Sequence, residues 1–211
     1  MSFSERLDRA FFDRPTLIVA RQLLGMRLVR IEQGQRLSGL ITEAEAYIGE
    51  SDLGCHAHVG RTPRTQVMYG PPGHAYVYFT YGMHWCLNFV TEQEGFPAAV
   101  LIRAIQPLEG LETIAARRAP QPPALWTNGP AKLTQALNLD RRHNGLDLCD
   151  PASELFVETG EPIPDECVTN SPRVGLNSVP EPWKSMPWRF LVQEHCTTEY
   201  TEKIKERSAS S

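Results

Sequence analysis

The feature that most constrains the fold of this chain is a change in hydrophobic periodicity near residue 26. Before that point, apolar residues recur at helical spacing in a segment opened by Pro15 and closed by Gly25. After it they alternate with polar residues, in runs rich in aromatic and β-branched side chains. These runs predict a central sheet: MRLVRIEQ, RLSGLITEAEAY, AYVYFTY, HWCLNFVT and AAVLIRAI.

Two segments after the last of these runs return to helical spacing. They cover residues 107–118 and residues 129–139, and the second has Pro130 in its first turn. The proline-rich stretch between them is predicted to be an ordered loop. Because the strands come first and helices follow, we expect an α+β fold.

The chain is predicted to form one domain. Its 211 residues suffice to bury a single core, and the sequence has no internal repeat or low-complexity linker. We expect this core to span about residues 15–195, and the polar tail at about 200–211 to fray. No run approaches the ~20 apolar residues of a membrane span, and the charged N-terminus is unlike a signal sequence. We therefore expect a cytosolic or nuclear protein with no membrane partner.

The cysteines are predicted to be free thiols. They are five in number, and no two have the C-x-x-C spacing of a zinc ribbon. An odd number also argues against a disulfide framework. The five are Cys55, Cys86, Cys149, Cys167 and Cys196.

The overall charge does not favour a general nucleic-acid binder. The formal net charge is −4, whereas affinity for a nucleic-acid backbone comes from clustered lysine and arginine. A local basic patch is nevertheless available from Arg61, Arg64, Arg103, Arg141 and Arg142.

Residues 39–49 place two carboxylates on one face of a predicted strand. Side chains two apart point the same way, so Glu43, Glu45 and Tyr47 share a face. Spacing alone favours a solvated edge face, and a catalytic carboxylate is the alternative. Arg103 lies within an apolar run and needs a charged partner, for which Glu45 is one candidate.

Residues 55–65 form a loop that combines histidine with arginine. Cys55, His56 and His58 are candidate metal ligands, but no fourth ligand is evident in the sequence. The H-x-E and C-x-x-C elements of zinc deaminases do not occur either. We therefore predict no metal, and the two arginines of this loop suit contacts with phosphate better.

The stretch AYVYFTYGMHW, residues 75–85, predicts a hairpin that turns at Gly82. Tyr81 and Met83 then lie at its tip, where large apolar side chains are unusual. Either the tip packs back onto its own core, or it acts as a wedge between stacked bases. The stretch by itself does not separate these interpretations.

Several separated blocks of the sequence together resemble the 3-methyladenine (alkyladenine) DNA glycosylase family. In chain order, between about Ala20 and Val192, they are TEAEAYIG, CHAHVGRTPRT, YVYFTYGMHWCLN, VLIRAIQPLEG, NGPAKLTQAL and PRVGLN. The resemblance implies a monofunctional enzyme that flips a damaged purine nucleotide out of duplex DNA and hydrolyses its N-glycosidic bond, which initiates base excision repair. It also implies a single mixed α/β domain with a curved antiparallel sheet, flanking helices and a protruding hairpin that intercalates into DNA.

The resemblance implies a role for several residues of a catalytic centre. Glu45 matches the general base that activates the attacking water. Arg103 and the backbone of Val174 match groups that hold this water. On face geometry alone, Glu43 competes for the role of base.

The same resemblance implies a pocket for the flipped base. Tyr47, His56 and Tyr78 match the residues that sandwich and contact this base. Asn88 matches a residue that selects against normal guanine, and Tyr81 matches the ring that fills the vacated space in the helix.

Further contacts with DNA are inferred for five residues, namely Met83, Arg61, Arg64, Lys132 and Arg173. The sequence departs from the family pattern in two places. The loop after His56 is one residue shorter, which weakens the match of its arginines, and His84 stands where tyrosine is familiar.

The implied substrates are 3-methyladenine and 7-methylguanine, and the sequence leaves open whether hypoxanthine and ethenoadenine are also cut. A cationic base departs without protonation, so one carboxylate suffices for it, although sugar hydrolases commonly use two. We expect no cofactor and a monomer that binds damaged double-stranded DNA, in the nucleoid of a bacterium or the nucleus of a eukaryote. The alternatives are a non-catalytic nucleic-acid-binding protein on the same scaffold and a small-molecule hydrolase that uses Glu43 and Glu45 as a pair.

Overall fold

The computed structural model describes residues 5–209, with side chains described as far as Lys203. The helices of this part of the chain are short, apart from the last one. They are α1 (Arg9–Phe12), α2 (Thr16–Gln22), α3 (Leu111–Arg118), α4 (Pro130–Ala136) and α5 (Glu194–Ala209).

The strands carry most of the regular structure, and the runs of alternating residues are confirmed as strands. They are β1 (Arg27–Glu32), β2 (Gln35–Ile48), β3 (Ala75–Thr80), β4 (His84–Val90), β5 (Ala98–Glu109), β6 (Leu155–Glu158), β7 (Val168–Ser171) and β8 (Arg189–Val192).

These strands form one antiparallel sheet in the order β3-β4-β5-β2-β1-β6, in agreement with the α+β class. The long strand β2 lies at its centre. One edge of β2 pairs with β5, while the other pairs first with β1 and then, at residues 43–45, with β8. Strand β7 in turn pairs with β8.

Alternation along the strands divides the sheet into two faces. One face belongs to the hydrophobic core, where Ala44, Val100 and Phe89 pack together with Val19 of α2 and Leu133 of α4. The other face carries the side chains that alternate with the core residues along each strand. In one row across five strands, the paired residues of this face are Tyr76, Asn88, Leu101, Glu45 and Arg189.

Irregular pairing between β2 and β5 changes which residues reach the second face. Glu43 pairs with Ala104 while Ala44 pairs with Ile102, so Arg103 is an extra residue in β5. A second shift, between Ile41 and Glu43, interrupts β2. Ile41 therefore lies in the core although Glu43, two residues later, contacts Arg103 on the other face.

The predicted helix at residues 107–118 is wrong in its first turn. Strand β5 continues through Pro107 to Glu109, which pair with Gly39 and Ser38 of β2. Gly110 then adopts a left-handed conformation (φ +70°), and α3 begins at the following residue. Tertiary pairing with β2 has overridden the local helical spacing.

The prediction that all cysteines are free is wrong for two of them. Cys167 and Cys196 form a disulfide, whereas Cys55, Cys86 and Cys149 are free. Strands β7 and β8 pair Val168 with Val192, and this brings together the chain just before β7 and the helix just after β8. Such a long-range pairing is invisible in the spacing of the cysteines.

The polar segment after position 200 continues α5 as far as Ala209, so regular structure extends into the predicted tail. Fraying of this end stays a prediction, and residues 210–211 lie outside the described range. Among the described residues, no helix combines the length and apolarity needed to cross a membrane.

Candidate active site

Glu45 lies at the centre of the sheet, fully buried, with strand neighbours on both edges of β2. The solvated edge face that spacing favoured is therefore wrong. The periodicity correctly put Glu43 and Glu45 on one face, but it could not show that β8, a short strand from far along the chain, covers the second edge.

The Glu45 carboxylate has three polar partners. Oε1 accepts a hydrogen bond of 2.7 Å from the backbone N–H of Val174, and Oε2 accepts one of 2.8 Å from the hydroxyl of Tyr47. The Arg103 Nε lies 3.3 Å from Oε1. Burial raises the pKa of Glu45 above its ordinary value, and these three partners offset only part of that effect. The result is a carboxylate with increased affinity for a proton.

Arg103 has the charged partners that its place in an apolar strand requires. Its Nε lies 2.7 Å from Oε1 of Glu43, which is closer than the contact with Glu45. Glu43 also accepts a hydrogen bond of 2.6 Å from Nε of Arg189. Glu43 is thus held by two guanidinium groups, whereas Glu45 has only the longer contact with Arg103.

A cavity of about 320 Å³ opens beside Arg103 and Val174. Aromatic side chains supply much of its wall, and Asn88 and His56 supply polar atoms. Those predicted to contact a flipped base all line it. They are Tyr47, His56, Tyr78 and Asn88, and Tyr76 joins them.

His56 is fixed in the wall of this cavity by its ring neighbours. Its Nδ1 lies 3.1 Å from the hydroxyl of Tyr76, and its ring meets that of Tyr78 edge to face with 4.4 Å between centroids. Burial, and then the positive charge of Arg64, lower the pKa of His56 to about 4. His56 is therefore neutral at pH 7.

Asn88 is buried on β4, and its side-chain amide donates a 3.0 Å hydrogen bond to the carbonyl of Tyr76. This bond fixes the direction of the amide at the cavity wall. Tyr76 was missed in the sequence, although its position two residues before Tyr78 on one strand face was a signal that could have found it.

Arg173 does not contact solvent, so its assignment as a DNA contact is wrong. Its guanidinium is fully buried and pairs with both oxygens of Asp52, at 2.5 and 2.8 Å, and also donates to the carbonyl of Ala46. It lies over the ring of Tyr47, 4.6 Å from the centroid. Arg173 instead fixes the loop that presents Val174 to Glu45.

Cys55, His56 and His58 do not converge on one point. The thiol of Cys55 accepts from the N–H of Ala57, and Nδ1 of His58 lies 2.7 Å from the carbonyl of Cys55. Among the described residues, the only cluster with metal-ligand spacing is Cys167, His195 and Cys196, in which the two sulfurs are bonded to each other.

Strands β3 and β4 form a hairpin whose tip points into solvent. Tyr81 is 82% exposed and Met83 is 68% exposed, so the tip does not pack onto its own core. Tyr81 (φ +50°) and Gly82 (φ +68°) are both left-handed, and the N–H of Met83 donates to the carbonyl of Thr80. This is the pattern of a type I′ turn, which favours Asn-Gly and makes a tyrosine costly.

The basic side chains inferred to contact DNA lie beside aromatic rings or at the start of α4. Arg61 and Arg64 are exposed and lie over the rings of Tyr69 and Tyr78, at 5.6 and 5.2 Å from the centroids. Lys132 is half-buried at the start of α4 and donates to the side chain of Asn128.

Comparison with known proteins identifies the family of this chain. The family model of methylpurine-DNA glycosylase matches residues 10–196. A relative from Myxococcus xanthus, named "Putative 3-methyladenine DNA glycosylase", is 48% identical over 188 residues, which cover 89% of this chain and 90% of that protein. Proteins of the same name from Carboxydothermus hydrogenoformans (45% identical, 90% of this chain, 96% of that protein) and Methanocella arvoryzae (48%, 87% and 90%) are similar.

Proposed function

Because the chain belongs to the methylpurine-DNA glycosylase family, we propose that it excises alkylated purines from duplex DNA with Glu45 as its general base. As a 3-methyladenine DNA glycosylase, the enzyme is a hydrolase of DNA repair. The observation that carries the proposal is the buried Glu45 carboxylate, held by Val174 and Arg103 beside an aromatic cavity.

Hydrolysis of an N-glycosidic bond needs an activated water and negative charge near the sugar. Val174 and Arg103 line the cavity, so a water bound to them lies next to Glu45. The carboxylate takes a proton from this water as the oxygen bonds to C1′ of the sugar, while the bond from C1′ to the purine breaks and its electron pair leaves with the base. The charge of Glu45 also stabilises the cationic character that develops on the sugar.

The cavity suits an electron-poor purine. Tyr47 and Tyr78 line the cavity, and stacking of a base on such rings contributes about 1–3 kcal/mol per base. His56, with its pKa lowered to about 4, carries no charge at pH 7 that would repel a cationic 3-methyladenine or 7-methylguanine. Such bases also leave without protonation, so the proposed reaction needs no second carboxyl group as a general acid.

Neutral damaged bases need more stabilisation from the cavity than cationic ones. Hypoxanthine and ethenoadenine need hydrogen bonds that stabilise the departing base, and the polar atoms near His56 are the ones available. Asn88 acts against normal guanine, because its fixed amide meets the exocyclic groups of a bound purine.

Tyr81 is the wedge that fills the space vacated by the flipped nucleotide. Its ring is exposed at the tip of the hairpin, on a left-handed backbone that a tyrosine adopts at a cost. Costs of this kind are typical of functional positions. Met83 extends the same apolar tip, and Arg61, Arg64 and Lys132 contact phosphates on either side.

We also propose a domain organisation, an oligomeric state and a location for the whole protein. We expect residues 15–195 to fold as one domain that acts as a monomer, in the bacterial nucleoid or eukaryotic nucleus where damaged DNA is found. The proposed location rests on the DNA substrate that the family implies.

The proposal is tested by measuring released base from four duplexes, carrying 7-methylguanine, ethenoadenine, hypoxanthine or no lesion. We expect release of 7-methylguanine well above the spontaneous rate in an enzyme-free control, with none from undamaged DNA. Tight binding to lesion duplex without release of any base would instead support a non-catalytic binder.

A further inference from the structure

Glu43 is a buried carboxylate to which the proposed mechanism gives no task. It is 7% exposed, and its Oε1 accepts hydrogen bonds from Nε of Arg103 at 2.7 Å and from Nε of Arg189 at 2.6 Å. Burying a carboxylate is costly unless charged partners satisfy it, and two guanidinium groups do so here. Both contacts are with guanidinium groups, so any role that Glu43 has in the reaction acts through these neighbours.

Arg103 is the neighbour that links Glu43 to the reaction. Its single Nε–H lies 2.7 Å from Glu43 and 3.3 Å from Oε1 of Glu45, so the shorter and stronger contact goes to Glu43. Without Glu43, the same N–H would be free to close on Glu45. A full ion pair with Arg103 would make Glu45 a weaker base.

The irregular strand pairing explains how the sheet places Arg103 in contact with both Glu43 and Glu45. Arg103 is the extra residue of β5, between the pairs of Ile102 with Ala44 and of Ala104 with Glu43. Bulges of this kind redirect side chains and are frequent next to active sites. This one brings Arg103 between two carboxylates that are two residues apart on β2.

We propose that Glu43 is a positioning residue for base excision: it holds the Arg103 guanidinium so that Glu45 is oriented but not neutralised. The inference rests on the proposed function, in which Glu45 is the base. It also accounts for Arg189, which binds the second side of Glu43 and limits the negative charge that Glu43 presents to Glu45.

The charged and titratable groups around Glu45 fix the sign of each change. A cation that faces Glu45 favours its ionised form, and an anion opposes it. Across all the elements packed against this carboxylate, these groups are Glu43 and Tyr47 on β2, Cys86 on β4, Arg103 on β5, Arg189 on β8 and Arg173 in the loop that carries Val174.

The test is the pH dependence of single-turnover excision of 7-methylguanine from duplex DNA, from pH 5 to pH 8, for wild type and three variants. The cationic base leaves without protonation, so the acidic limb of the profile reports the general base. Glu43→Gln should move this limb to lower pH by about 0.5–1 unit, because Arg103 then acts undivided on Glu45. The rate on its plateau should fall by up to about tenfold, because the base is weaker by that shift in pKa.

Two further variants separate this role from a merely structural one. Arg189→Gln removes a cation that faces Glu45 and should move the acidic limb to higher pH, opposite to Glu43→Gln. Glu43→Asp retains the charge and should restore the wild-type limb. Affinity for the lesion duplex should stay within about twofold in all three, since Glu43 and Arg189 do not line the base cavity.

An unmoved limb in Glu43→Gln, or shifts of the same sign in Glu43→Gln and Arg189→Gln, would overturn the proposal while wild-type excision still supported the function. Absence of excision by wild type would overturn both. If Glu43→Gln fails to fold, the test rests on Arg189→Gln. An acidic limb of Arg189→Gln at the wild-type pH, or below it, would then overturn the proposal.

Discussion

At the scale of single residues, Glu45 shows a conflict between burial and charge. Burial raises its pKa, and Arg103, the Val174 N–H and the Tyr47 hydroxyl only partly compensate. A raised pKa makes a carboxylate a better proton acceptor, but the ionised form is then a burden on the folded state. With Glu45 as the proposed general base, stability is given up at this position for reactivity.

This conflict predicts that Glu45→Gln stabilises the fold at pH 7. The pKa of Glu45 is higher in the folded than in the unfolded chain, so its contribution to stability falls as pH rises from the unfolded value through the folded one. The neutral amide escapes that loss, and we expect the free energy of unfolding at pH 7 to rise by about 0.5–2 kcal/mol. Denaturant titrations at pH 7 and pH 4 measure the difference, which should shrink at the lower pH.

Glu94→Gln is the matched control, because Glu94 is exposed. It should change stability by less than about 0.5 kcal/mol at either pH. A Glu45→Gln variant less stable than wild type at pH 7 would show that the polar contacts of Glu45 outweigh its desolvation.

The role of a residue could be predicted from the sequence where a local pattern indicated it. It could not be predicted where the role depends on a partner far along the chain. Glu45 and Tyr47 share a strand face by simple alternation, as predicted. Arg173, read as a DNA contact, is instead buried against Asp52, 121 residues earlier in the chain. No local signal distinguishes an arginine that meets phosphate from one that meets a buried aspartate.

At the scale of elements, the hairpin of β3 and β4 combines two opposing demands. Its turn has positive φ at both central positions, where asparagine and glycine are favoured, yet Tyr81 occupies the first of them. The second is Gly82, where an added Cβ would meet no other atom. The turn therefore offers a pair of substitutions that separate backbone strain from the exposed ring.

Tyr81→Asn should raise stability and weaken DNA binding at the same time. Asparagine tolerates the left-handed conformation, so we expect the free energy of unfolding to rise by about 1 kcal/mol. Loss of the wedge should cost a few kcal/mol of affinity for a lesion duplex, about what unstacking a base step demands. Thermal unfolding and a fluorescence titration measure the two effects.

Gly82→Ala is the reverse control, because it keeps the ring and adds strain at φ +68°. It should lower stability by about 1 kcal/mol and leave affinity within about threefold of wild type. Equal affinity of Tyr81→Asn and wild type for the lesion duplex would show that Tyr81 does not act as a wedge.

The longer elements could be predicted from the sequence, and the short ones could not. Strands β2 to β5 showed sustained alternation, and α2 was bounded by Pro15 and Gly25. Strands β6, β7 and β8 have four residues each, too few for a period to be recognised. Yet β8 closes the edge of β2 beside Glu45. This is why the central position of the carboxylate emerged only in the fold.

At the scale of the whole molecule, charge distribution matters more than net charge. The chain carries a formal charge of −4, but Arg61 and Arg64 are exposed, and Arg64 lies over the ring of Tyr78, which lines the cavity. Local cations that neutralise phosphates release counterions whatever the overall charge. Binding of duplex DNA should therefore weaken with salt.

Arg64→Gln should reduce the slope of log affinity against log salt concentration by about one, because one phosphate contact is lost. Binding titrations from about 50 to about 200 mM salt measure this slope. Arg21→Gln is the control and should leave the slope unchanged, since Arg21 belongs to α2, which packs against the core face of the sheet. An unchanged slope for Arg64→Gln would place the basic contact elsewhere.

The proposed role of Glu45 as the general base of a purine excision site is tested by comparing excision with binding. Single-turnover release of 7-methylguanine and affinity for the same duplex are measured side by side for wild type and Glu45→Gln. We expect affinity within a few-fold of wild type and excision slower by at least about 10²–10⁴-fold, the usual contribution of a general base. Excision at an undiminished rate by a folded Glu45→Gln enzyme would contradict it.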